Sequence, residues 1–237
     1  MLSDKKILAI IPARGGSKRL PDKNIKLLAG KPLLAHAIIQ AKKSRYIDRV
    51  VVSTENKKIA GISKQYRAEV IARPKELAAC DAKVVDAVFH ALEFLNSKNY
   101  VPDIVVLVQP TSPLRTAGDI DRAIERFLKN KCEMVMSVCE VNSPVYRSLK
   151  MEKKYLKPVL GREYISDRGQ DLPKIYIANG AIYILTPKII KKYQAIYASK
   201  ILPYFMPAEK SIDIDDEADF KKAEKLMNKK KNGIKKQ

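Results

Sequence analysis

Apolar residues along this chain fall into short β-branched runs separated by stretches of helical spacing. Residues 6–11 (KILAII), 49–53 (RVVVS), 69–72, 103–108 (DIVVLV) and 133–141 read as buried strands. Between them, 32–43, 57–67, 83–97 and 118–130 repeat their apolar positions as helices do; Val84, Val88, Ala91, Leu92 and Leu95 form one such stripe. This alternation predicts an α/β fold built on a doubly wound, mostly parallel sheet. Residues 142–175 break the rhythm with Pro144, Pro158, Pro173 and scattered Tyr, and read as an arm or lid inserted into a single domain spanning 1–228. Strand character returns at 178–185 (ANGAIYIL) and at 201–206, and a helix near 215–229 closes the domain.

Composition narrows the function classes. No run of 18 apolar residues occurs, and the opening MLSDKK lacks a signal-peptide core, so the expectation is a cytoplasmic protein with no membrane partner. Cys80, Cys132 and Cys139 are odd in number and lack metal-ligand spacing, which suits reduced thiols. The formal net charge of +20 raises the question of nucleic acid. Part of that charge is local, since 221–237 holds eight Lys against one Glu; its end, 229–237, reads as a disordered basic tail. No zinc-finger spacing, aromatic RNA-binding motif or helix-turn-helix accompanies it, so nucleic acid is not expected. The remaining cations suit an enzyme that attracts small polyanions.

Three segments carry candidate chemistry. After the first strand comes Ala13-Arg14-Gly15-Gly16-Ser17-Lys18-Arg19-Leu20-Pro21-Asp22-Lys23-Asn24. Its glycines permit a sharp turn and close backbone approach to a ligand, and four cations surround that turn. At the carboxyl end of an N-terminal strand, such a loop suits a triphosphate. It matches neither the Walker spacing nor the dinucleotide fingerprint. Directly after the central strand, Gln109-Pro110-Thr111-Ser112-Pro113-Leu114-Arg115 forms a rigid, donor-rich loop facing the same edge. Near the end, Asp213 and Asp215 stand two apart; on an extended segment they share one side and could hold a hard cation, while Asp215 or Asp216 could instead cap the next helix.

With these pieces and RPKELA at 73–78, NGAIYI at 179–184 and SIDIDDEADF at 211–220, the chain resembles the acylneuraminate cytidylyltransferase family. The resemblance implies a Rossmann-like nucleotidyltransferase with a protruding dimerisation arm. It would use Mg²⁺ to transfer CMP from CTP to the anomeric hydroxyl of a nine-carbon 2-keto sugar acid such as N-acetylneuraminate. Legionaminate, pseudaminate and octulosonate are the alternative acceptors. It further implies that Ala13, Arg14, Gly15, Ser17, Lys18, Lys23 and Asn24 hold the triphosphate, with Arg14, Lys23 and Asp213 catalytic. Arg73 and the backbone at Ala82 would meet cytosine. Gln109, Arg147, Arg168, Asn179 and Tyr183 would bind the sugar acid, Asp213 and Asp215 the metal, and the working form would be a homodimer or a dimer of dimers. The segment Ala79-Cys80-Asp81-Ala82-Lys83-Val84 departs from the hydroxyl-bearing pattern usual after E-L-A, and Arg168 stands one residue before the family's usual Arg, where Gly169 is found.

Overall fold

The first strand lies inside the sheet, beside the middle strand, and the candidate chemistry gathers around its carboxyl end. The computed structural model describes residues 5–79, 81–141, 144–166 and 172–234. Its elements are β1 (Ile7–Pro12), β2 (Leu27–Leu28), β3 (Lys31–Pro32), α1 (Leu33–Lys42), β4 (Arg49–Thr54), α2 (Lys57–Gln65), β5 (Glu69–Ala72) and α3 (Val84–Asn96). They continue with β6 (Ile104–Leu107), α4 (Ala117–Lys129), β7 (Met134–Val141), β8 (Leu149–Glu152), β9 (Tyr155–Pro158) and α5 (Glu163–Ser166). The chain ends with β10 (Ile175–Leu185), α6 (Pro187–Tyr193), β11 (Ile201–Phe205) and α7 (Glu217–Ile234).

Seven strands form one sheet in the order β11-β7-β10-β6-β1-β4-β5. Pairing is parallel for β1 with β4 and β6, β4 with β5, and β11 with β7. Only β10 runs antiparallel, wedged between β6 and β7. The sheet is therefore doubly wound and mostly parallel, as the alternation predicts, with one reversed strand. Because β1 is buried on both faces, its sequence is a continuous apolar run rather than an alternating one. Ala9 and Ile11 pack with α1, α2 and α4 on one face; Leu8 and Ile10 pack with α3 and α6 on the other.

A third, smaller apolar cluster joins distant segments: Leu20, Leu28, Leu33, Leu114, Ile212, Ile214, Phe220 and Ala223. In the sequence Ile212-Asp213-Ile214-Asp215 the isoleucines are buried, while Asp213 and Asp215 face outward. Burying each isoleucine is worth about 1.5–3 kcal/mol, which pins the extended segment and sets which way its carboxylates point.

Within 142–175, β8 and β9 pair only with each other, and Leu149, Met151, Tyr155, Leu156, Val159 and Leu160 are exposed. The described residues of this segment thus form a hairpin followed by the short α5. The closing helix runs to Ile234, through part of the segment read as a disordered tail. Lys is a good helix former, and its charge at a helix C-terminus complements the macrodipole. Among the described residues, no helix is long and apolar enough to cross a membrane.

Candidate active site

Beyond the carboxyl ends of β1, β5 and β6 lies a cleft of about 590 Å³, the size of a small-ligand site. Arg14, Ser17, Lys18, Arg19, Lys23 and Asn24 from the glycine loop form one wall; Arg73, Ala79, Ala82 and Lys83 form a second. Gln109, Pro110 and Thr111 from the loop after β6 close the floor, and Asp213 and Asp215 stand on the remaining side. Arg14 and Asp213, 199 positions apart in the sequence, thus share one cleft. Six cations against two carboxylates give it a positive field suited to a polyanion.

The glycine loop and the carboxylate segment are tied directly. Lys23 Nζ donates to the Ile214 carbonyl at 2.6 Å and lies 3.6 Å from Asp215 Oδ1; Arg19 pairs with Asp215 Oδ2 at 2.9 Å. Lys26 pairs with Glu217 just beyond. From the other side, the Ile214 N–H donates to the Thr111 carbonyl at 2.8 Å, fixing the segment to the loop after β6. Asn24 Nδ2 donates to the Arg14 carbonyl at 2.8 Å, and Arg14 Nη1 donates to the Ala79 carbonyl at 2.9 Å.

Partial burial raises the Asp213 carboxyl above the ordinary carboxylate range, and neighbouring Asp215 adds to this, while a hydrogen bond from Thr111 and the charge of Lys23 oppose it. A carboxylate pair so placed gains from a divalent cation. Among the described residues, no group of three His, Cys, Asp or Glu could cage a metal. One or two carboxylates completed by phosphate oxygens is a donor set that fits Mg²⁺.

A bulge in β10 shapes the floor. Its register with β7 shifts between Ala178 and Tyr183, so residues 179–182 stand opposite Ser137 alone. Ser137 Oγ accepts the Ile182 N–H at 2.7 Å and donates to Asn179 Oδ1 at 2.6 Å. Asn179 Nδ2 donates to Ser211 Oγ, and the buried Arg115 Nη1 donates to the carbonyls of Ala181 and Gln109. Gly180 has φ +71°, and a Cβ there would lie 3.1 Å from Gln109 Oε1 and 3.2 Å from both Asp213 Oδ2 and Ser112 Oγ. Only glycine fits.

Not every expected site residue lines the cleft. Ala13 is buried and donates its N–H to Ser53, and Gly15 donates its N–H to Glu55, so both shape the turn rather than its outer surface. Asn179 is 3% exposed, its amide committed within the bulge. Tyr183 lies in the apolar core beneath α3 and α6, where burial pushes its hydroxyl up to about 12, helped by Tyr197 and Asp213. Its position follows from the bulge, which offsets the alternation that NGAIYI suggests. Arg147 is exposed on the arm, away from this cleft, and Arg168 lies outside the described residues. Glu55, which sequence reasoning missed, touches both Gly15 and Arg73. Its signal was its place, one residue past a strand's carboxyl end.

Residues 8–234 match the cytidylyltransferase family. The chain is 38% identical over 228 residues to the CMP-N,N'-diacetyllegionaminic acid synthase of Legionella pneumophila, covering 94% of this chain and 96% of that protein. It is 33% identical over 233 residues to the N-acylneuraminate cytidylyltransferase of Escherichia coli O18:K1:H7, covering 95% of this chain and 53% of that one. Among solved structures, a CMP:2-keto-3-deoxy-manno-octonic acid synthetase complexed with CTP superimposes with a TM-score of 0.72 at 16% identity, covering 95% of this chain and 99% of the other. At that identity the likeness speaks for the fold.

Proposed function

We propose that this chain, which belongs to the cytidylyltransferase family and is a nucleotidyltransferase, transfers CMP from CTP to the anomeric hydroxyl of a nine-carbon 2-keto sugar acid. The observation that carries the reading is the meeting of Arg14 and Lys23 with Asp213 and Asp215 around one cleft. The hydroxyl oxygen attacks the α-phosphorus in line, the bond from that phosphorus to the β-phosphate oxygen breaks, and pyrophosphate leaves. Such a displacement depends mainly on positioning and charge stabilisation. Arg14, Ser17, Lys18 and Asn24 hold the triphosphate, and Lys23 stabilises charge building at the α-phosphate. Arg73 and the backbone at Ala82 meet cytosine, and Gln109 meets the sugar acid.

Asp213 and Asp215 would hold Mg²⁺, which when bound neutralises charge on the phosphates. Lys23 and Arg19 lie against Asp215, so cations and carboxylates share the space that the phosphates would enter.

The legionaminate-type acid is the first acceptor to test, because identity at 38% extends over nearly all of both chains. N-acetylneuraminate is the second, supported by 33% identity over a similar span. The exposed apolar arm supports a homodimer in which Leu149, Met151, Tyr155 and Leu156 are covered by a second copy and Arg147 reaches the partner's cleft. The thiols of Cys132 and Cys139 and the use of CTP suit the cytoplasm. Purified protein is incubated with CTP, Mg²⁺ and each acid in turn while pyrophosphate is measured. Release with one acid is the expected result; no release with any acid, or equal use of all four nucleotides, would refute the reading.

A further inference from the structure

Glu55 does not line the cleft, yet its carboxylate touches two of the segments that build it. Oε1 accepts the Gly15 N–H at 2.6 Å, and Oε2 accepts from Arg73 Nη2 at 3.2 Å. The ion pair is shielded, with side chains 15% and 5% exposed. On the glycine side the packing leaves no slack, since a Cβ on Gly15 would lie 2.4 Å from Asn56 Nδ2. On the other side Arg73 depends on this contact. Its Nε is buried with no hydrogen-bond partner among the described residues. Burial lowers the Arg73 pKa and the charge of Arg14 lowers it further, while Glu55 raises it. Glu55 therefore holds the guanidinium in place and offsets the repulsion of a second cation, Arg14.

We propose that Glu55 is a positioning residue for nucleobase selection: one carboxylate locks the glycine turn to the plane of the Arg73 guanidinium, so the base is read at a fixed distance from the phosphates. The proposal rests on the reading of this cleft as a CTP site. A guanidinium can only donate hydrogen bonds. Cytosine offers it two adjacent acceptors, O2 and N3, whereas uracil offers O2 beside a protonated N3. Discrimination between them requires the guanidinium plane to be fixed, because a plane that turns can meet O2 of either base.

The test is a double-variant cycle on the full-length protein, reading the ratio of kcat/KM for CTP to that for UTP. Glu55→Gln keeps the shape but removes the charge, and lowers the ratio by roughly tenfold or more, the effect of losing a charge-assisted hydrogen bond. Arg73→Ala lowers it as well, and adding Glu55→Gln to Arg73→Ala changes it no further. An unchanged ratio in Glu55→Gln, or losses that multiply in the double variant, would overturn the proposal. An unchanged ratio in Arg73→Ala overturns instead the placing of Arg73 at cytosine, so the two failures are told apart. Thermal unfolding accompanies each variant. Should Glu55→Gln not fold, Glu55→Asp supplies the same cycle, keeping the charge but withdrawing it by one methylene; there too a preserved ratio overturns the proposal.

Discussion

Replacing Asp119 with Asn tests how the carboxylate segment is held in register. Asp119 is 2% exposed at the start of α4. Its Oδ2 accepts from the Thr116 N–H, the Thr116 hydroxyl and Lys210 Nζ; its Oδ1 accepts from Arg122, Tyr204 and Lys210. Lys210 stands three residues before Asp213, so this knot anchors the approach to the site. Burial acts to raise the Asp119 pKa, but the hydrogen bonds from Thr116 and Lys210 outweigh it and bring the value from 3.8 down to about 2. A depressed folded-state pKa adds stability that is present above the unfolded value and lost as pH falls through the folded one. The shift corresponds to about 2 kcal/mol at neutral pH, of which about 1 kcal/mol is lost by pH 3. For a chain this size, the neutral-pH loss lowers the unfolding midpoint by roughly 4–8 °C. Urea unfolding of both proteins at pH 7 and pH 3 measures the gap. It should narrow by about 1 kcal/mol at the lower pH, and turnover at pH 7 should fall in the variant. A gap equal at both pH values would refute the argument that ionised Asp119 anchors this segment.

Other outcomes are equally specific. Gly180→Ala forces a side chain into the left-handed region at a cost of about 1–2 kcal/mol and pushes on Gln109, Ser112 and Asp213 together; pyrophosphate release should fall about tenfold or more, and wild-type kcat/KM would mean that the bulge does not set the floor. Asp213→Ala should abolish turnover in Mg²⁺ while circular dichroism stays unchanged; normal activity would remove Asp213 from the metal site. If the proposed homodimer forms through the hairpin, Leu156→Glu should yield a monomer by light scattering where the parent gives twice that mass, and two species of equal mass would exclude the arm from assembly.

The frame was legible because the inner strands β1 and β6 are buried on both faces. Nothing but a continuous apolar run satisfies that, and KILAII and DIVVLV are such runs. Asp213 and Asp215 were legible for a related reason: alternation with Ile212 and Ile214 fixes the side to which they turn. What was hidden depends on contacts between residues far apart in sequence. NGAIYI reads as an uninterrupted strand, yet Ser137, more than forty positions earlier, stabilises a bulge that turns Asn179 inward and leaves Tyr183 in the core. A glycine inside a strand is the local sign of such a break. Glu55 was overlooked because a lone acid beside a cationic loop is ordinary in sequence; its meaning comes from Gly15, forty residues away.

The bond from Lys23 to the Ile214 carbonyl spans 191 positions of chain. During translation the sheet can begin to assemble around β1, β4 and β5, and the glycine loop emerges early. Its opposing wall follows 191 positions later. A nascent chain that stops before residue 211 carries the cations without the carboxylates that face them. The cleft is therefore whole only once both segments have been synthesised.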